Sequence, residues 1–249
     1  AVGKEALNTN NGSNNSAFGV TALYANTTGA SNTAVGQSAL KDNTTASNNT
    51  AVGRVAMFEN TTGAENTALG ASALYTNTTG AENVAVGAYA LYTNNGGDNT
   101  AVGKAALYAN TTGAYNTAVG RNALATNTTG DNNVAVGGLA LDAATTASNN
   151  VAVGVWAMSD VTTGHSSVAV GYNALRLCST GSSNVAVGKD AMDSCTTGYD
   201  NVAFGQNTLG DNTSGYNNSA IGAYALYRNT TGHHSKRIAE RNCIIDKLN

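Results

Sequence analysis

The amino-acid sequence predicts an all-β chain built as a parallel β-solenoid, on three observations. An Ala-apolar-Gly triplet ends at Gly3, Gly19, Gly36, Gly53, Gly70, Gly87, Gly103, Gly120, Gly137, Gly154, Gly171, Gly188, Gly205 and Gly222. The spacing is 17 residues in eleven of the thirteen intervals and 16 in the other two, and a fixed period of this kind marks a repeat architecture. Proline is absent from all 249 residues, as a backbone ladder running through every coil requires, because proline has no N–H to donate. Ala, Gly, Asn and Thr make up 140 residues, while only 11% are charged. A net charge of -3 is too small for charge-driven disorder. The composition also argues against an ordinary globular enzyme, a coiled coil and a collagen.

The unit reads N-T-A-V-G-x-x-A-L-Y-x-N-T-T-G-x-x, almost complete in "TAVGKAALYANTTG" at 100–113. Its first element is a strand. The residue two before the Gly is Ala in all 14 units, and the one just before it is Val, Phe, Leu or Ile. Such a short β-branched run reads as a strand, with alternate residues on opposite faces. Thr33 and Val35 face one way and Ala34 the other. Neither face is polar enough for solvent, so burial on both sides is expected, as in covered parallel sheets. The unvarying Ala implies a close wall.

Two variable, exposed positions follow the Gly, as in Lys104-Ala105. Next come Ala in 13 of 14 units and Leu or Met in all 14, an apolar anchor that fills each coil. The turn N-T-T-G closes the unit, with Gly in 12 of 14 and Ala46 and Ala147 as exceptions. Gly at fixed turn positions fits a need for positive φ or close backbone approach. Asn stands four before the strand Gly in 12 of 13 units, Ser167 being the exception. Stacked asparagines bond backbone and one another, a structural ladder.

A helical repeat is disfavoured, since such repeats run about 33 residues or more and two glycines per unit break helices. Fourteen coils at ~4.8 Å each make a rod of roughly 65 Å. Seventeen residues form either two strands and two turns, a flattened roll, or nearly three short sides; the two turn signals favour the roll. A coil this thin has a small core. One face of the Ala-Val-Gly strand is therefore expected to pack inside and the other against neighbouring subunits. The solenoid is expected over residues 1–232. Ala1 falls inside a repeat, so the sequence reads as a segment of a longer chain.

The recurring N-T/S/V-A-V-G resembles the head repeat of YadA-type trimeric autotransporter adhesins. The longer A-V-G-x-x-A-L-x-x-N-T-T-G form is similar to repeats in phage tail fibres. The resemblance covers about residues 1–232, although the 17-residue unit and its N-T-T-G half depart from the adhesin pattern. It implies a left-handed parallel β-roll of about 14 coils, associated as a homotrimer with the A-V-G strand toward the axis. That carry-over places Val35, Val52, Val86, Val102, Val119, Val136, Val153, Val170 and Val187 in the core or trimer interface, with Leu74, Leu91 and Leu107 as anchors.

The expected function is a shaft or head segment of an extracellular trimeric fibre, on a bacterial surface or a virion tail, mediating attachment to a cell surface. The alternatives are a filament without receptor contact and a glycan- or ice-binding solenoid. Adjacent threonines in a strand face opposite ways, which weighs against an ice-binding face. No catalytic residues, metal site or cofactor are expected, since the acidic residues are scattered and His165, His233 and His234 are the only histidines. Weak net charge gives no footprint for nucleic acid, and no apolar run approaches the ~20 residues of a membrane span. The partners expected are further copies of the chain and a glycan or protein receptor.

Two features stand out as candidate sites. Phe58, Tyr75, Tyr92 and Tyr108 follow the anchor in four consecutive coils and form a candidate ligand stripe, or a stripe that stacks on itself. Cys178 and Cys195 lie 17 residues apart, where other units have Asn. In-register stacking puts their Cα atoms ~4.8 Å apart, inside disulfide range, so they are a candidate disulfide or two buried thiols. Residues 233–249 read as a tail; 236–248, "KRIAERNCIIDKL", fit a short helix or coiled-coil junction.

Overall fold

The computed structural model describes residues 1–239. Its regular structure is one parallel sheet of 14 three-residue strands in sequence order, from β1 (Ser16–Phe18) to β14 (Lys236–Ile238). Each strand pairs in register with the equivalent strand one coil away, Ala34 opposite Ala51 and Val35 opposite Val52. Val2 adds a single bridge to Phe18. The chain is thus a parallel β-solenoid of about 13 turns from β1 to β14, roughly 60 Å long at ~4.8 Å per coil. No helix occurs among the described residues.

The apolar part of the interior is three stacked columns. The strand Ala of every coil from Ala17 to Ala220 is fully buried, and so are most members of the Ala-Leu pair, Leu74, Leu91 and Leu107 among them. Burying each Leu contributes about 2 kcal/mol, and in a coil this thin those side chains are the main apolar filling.

The valines of the strand face outward in the single chain, so of the expected core or trimer-interface placement the core half does not hold. Val35, Val102, Val119, Val136, Val153 and Val170 are each 37–38% exposed, while Val52, Val86 and Val187 are half-buried. With period-two alternation only one face of a strand can look into the coil, and the close wall selects Ala for it. The expected burial of both strand faces is therefore met on the Ala face alone within one chain.

Each coil holds one strand, not the two of a flattened roll. The Ala-Leu side runs instead through residues of alternating φ sign. Ser38 and Leu40 lie at φ 55 and 51, and Asn48, just before the next buried Asn, at φ 62. Coil-to-coil hydrogen bonds still form there: Leu40 N donates to Ala56 O (3.0 Å) and Asp42 N to Phe58 O (3.0 Å). Left-handed backbone costs a non-glycine residue about 1–2 kcal/mol, so stacking has to offset three such residues in every coil.

Val55 is the sharpest case, a β-branched residue at φ 51. Its equivalents Asn122 and Asn173 adopt φ 55 and 54 with a residue type that tolerates this region. Val55→Asn is expected to stabilise the rod by about 1 kcal/mol, read as a higher melting temperature.

The sheet also extends further than the repeat. Lys236, Arg237 and Ile238 pair with Ser219, Ala220 and Ile221, so the first residues of the expected helix form a last strand. The charged triplet fits because the neighbouring strand still offers a parallel partner, and an end strand has only one coil to match. Ala239 N continues the ladder to Ile221 O (2.8 Å), and the expected helix from residue 240 on lies outside the described residues.

Candidate functional site

Two buried asparagine ladders organise the coil around its turns. In the first, formed by the Asn ahead of each strand, the side chain accepts from the backbone of the next coil and donates to a turn carbonyl. Asn66 N donates to Asn49 Oδ1 (2.9 Å), and Asn49 Nδ2 donates to Gly63 O (2.9 Å). Ser167 keeps only the acceptor half, taking a hydrogen bond from Asn184 N at 3.1 Å.

The second ladder is the Asn of N-T-T-G. Asn60 Nδ2 donates to Asn43 Oδ1 (2.8 Å) and to Gly63 O (2.9 Å), and the pattern runs from Asn10 to Asn127. It stops where Ala144, Val161, Cys178 and Cys195 take over the phase, which leaves Asn127 Oδ1 buried without a partner. The first threonine of the same turn is used internally as well: Thr61 Oγ1 donates to Thr78 O at 2.8 Å.

Cys178 and Cys195 are buried free thiols, stacked as the spacing implies, with Sγ atoms 3.1 Å apart. The candidate disulfide is thus not formed in this structure. A hydrogen bond to Cys195 and burial push the Cys178 thiol well above its ordinary value. The pair continues the apolar stretch begun by Ala144 and Val161, so its place is that of a buried ladder phase.

The four-ring stripe forms a continuous stack. Phe58–Tyr75, Tyr75–Tyr92 and Tyr92–Tyr108 lie 5.2, 5.2 and 5.1 Å apart at 5–9° between planes. Lys41 Nζ sits 4.7 Å over the Phe58 ring and covers the open end. The inner ring faces are therefore spent on one another, and the stripe offers edges and the outer face of Tyr108, which is 40% exposed. Partial burial and the neighbouring Tyr108 and Tyr75 hold the Tyr92 phenol above its ordinary range.

Further aromatic groupings lie outside the four-ring stripe. Tyr199, Tyr216 and His233 stack at 4.9 and 4.8 Å, with His234 edge-on to Tyr216. Their signal is a shared phase, the residue after the turn Gly. Trp156 and Tyr172 meet edge-to-face at 5.5 Å. They occupy adjacent variable phases of successive coils, so no single column marks them.

Among the described residues no three His, Cys, Asp or Glu are grouped to hold a metal ion, and no helix is long and apolar enough to cross a membrane. The outward strand face is a continuous surface feature of the sheet. From β8 (Val134–Val136) to β12 (Val202–Phe204) both of its rows are apolar, Val-Ala-Val in four strands and Val-Ala-Phe in the fifth. The chain matches no family model, and neither curated proteins nor solved structures give a match.

Proposed function

We propose that the chain is a segment of an extracellular homotrimeric fibre, a left-handed β-solenoid rod that mediates attachment to a cell surface as part of a bacterial adhesin or a phage tail fibre. The observation that carries this reading is the outward strand face. A continuous apolar row about 60 Å long is the kind of exposed patch that marks an interaction surface. Strand rows repeating at one spacing fit copies of themselves, since every coil offers the same residue at the same height. The repeat's resemblance to trimeric adhesin heads supports three copies with the valines toward the axis. The rod then acts by spacing and by multivalent display, without chemistry of its own.

The double variant Val119→Lys, Val136→Lys tests the assembly. Both side chains already reach solvent in the single chain, so the coil keeps its fold, while stacked charges at the axis break the trimer. The expected outcome is a β-rich monomer that no longer adheres to cells bound by the parent chain. An unchanged assembly overturns the axial placement, and a trimeric parent that binds no cell overturns attachment.

A further inference from the structure

We infer that a cleft across three consecutive coils, lined by Trp156, Tyr172, Asp142, Asp160, Asn173 and Arg176, binds a neutral pyranose unit of a glycan. The inference rests on the attachment reading for its biological role and names the chemistry which that reading leaves open.

The cleft arises where the aromatic column ends. The fifth position after the strand Gly carries Phe58, Tyr75, Tyr92 and Tyr108, then Ala125, Asp142, Ser159 and Arg176. Loss of the large rings opens a notch of about 400 Å³, within the range of small-molecule sites. Aromatic groups return at its rim, on the second and first positions after the Gly, as Trp156 and Tyr172. They are 39% and 42% exposed and meet edge-to-face at 68°, an aromatic corner at the rim of a notch whose lining is otherwise mainly polar. Buried Ser159 lines the notch and donates to Asp160 Oδ1 at 3.1 Å.

The polar groups select the ligand class. Arg176 Nε and Asn173 Oδ1 are buried without hydrogen-bond partners, one a donor and one an acceptor. Asn173 Nδ2 is already taken by Asp190 Oδ1 at 3.0 Å. Buried polar groups left open in this way call for a partner. An anion would meet Asp142 and Asp160, and a cation would meet Arg176. A hydroxyl both donates and accepts, so a ring carrying several hydroxyls satisfies both groups at no charge cost once the half-buried Asn173 and Arg176 side chains turn toward the notch. The C–H face of a pyranose covers the Trp156–Tyr172 corner, as apolar ligand surface covers aromatic pocket walls. Burial and the nearby Asp160 hold the Asp142 carboxyl above the usual carboxylate range, which suits a hydroxyl partner better than a metal.

Trp156 is the only tryptophan of the chain, so its emission reports on the cleft directly. The intact chain is titrated with methyl glycosides of glucose, galactose, mannose and N-acetylglucosamine, with methylamine and acetate as charged controls. At least one glycoside is expected to give a saturable change in emission. Asp142→Asn and Arg176→Met are each expected to weaken it tenfold or more, while Tyr108→Ala leaves it unchanged. No response to any of the four glycosides overturns the inference. So does a response confined to the charged controls, or one that survives both cleft variants. The mass of the same samples is measured in parallel, so a failed cleft with an intact trimer is distinguished from a failed fibre.

Discussion

Asn116→Ala is expected to destabilise the middle of the rod by about 2–4 kcal/mol, from an orphaned buried donor and a cavity. Asn116 Oδ1 accepts from Asn133 N (3.0 Å), and its Nδ2 donates to Gly130 O (2.8 Å). Gly130 O keeps a second donor in Asn127 Nδ2 (3.0 Å), so the decisive loss is the acceptor for Asn133 N–H. The alanine leaves that buried N–H with nothing to bond. Asn116→Ser restores an acceptor, as Ser167 does for Asn184, and is expected to recover about half of the loss. In a solenoid each coil contacts only its neighbours, so the damage stays local. Amide exchange should accelerate around residues 99–133 and leave distant coils protected. Uniform loss of protection along the rod, or equal effects of Ala and Ser, would count against the ladder.

The second large effect is expected at the strand glycine. Gly120 sits at φ 137, and an added Cβ would lie 2.5 Å from Gly137 O and 2.6 Å from its carbonyl carbon. Both contacts are backbone of the next coil, which cannot swing aside. Gly120→Ala therefore combines dihedral strain of about 1–3 kcal/mol with a steric clash, for a total loss of roughly 3–5 kcal/mol or failure to fold. Gly113, in the N-T-T-G turn, has no positive φ, although a Cβ there would crowd Gly130 O and Asn110 Oδ1. Ala46 and Ala147 occupy this phase, buried and in place, so the neighbours can give. Gly113→Ala is expected to cost under about 1.5 kcal/mol. Thermal melts of the two variants check the ranking, and equal destabilisation would show that crowding, not backbone angle, makes the strand glycine necessary.

These cases mark what the sequence made legible. The 17-residue period, the inward Ala, the Leu or Met anchor and the first asparagine ladder all follow from one residue type recurring in one phase, and stacking turns phase into contact. The Cys178–Cys195 pairing in space was legible for the same reason. The left-handed side of the coil was not, because Leu40, Val55 and Trp156 carry no mark of positive φ; the stacking of neighbours forces it on them. The direction of the valines also needed the structure, since Val and Ala alternate equally well either way around. The cleft at Trp156 was hidden because its members occupy different phases of three coils. The last strand was hidden because Lys236–Ile238 departs from the repeat's residue types, with charged side chains that read as helix.

The measurement closest to the central proposal is the mass of the chain in solution, by light scattering across a range of concentrations. A homotrimer joined along the outward valine row predicts one species at three times the 25.0 kDa of the single chain, stable to dilution. A single species at 25.0 kDa across the whole range would contradict it, and the valine row would then be a solvent face.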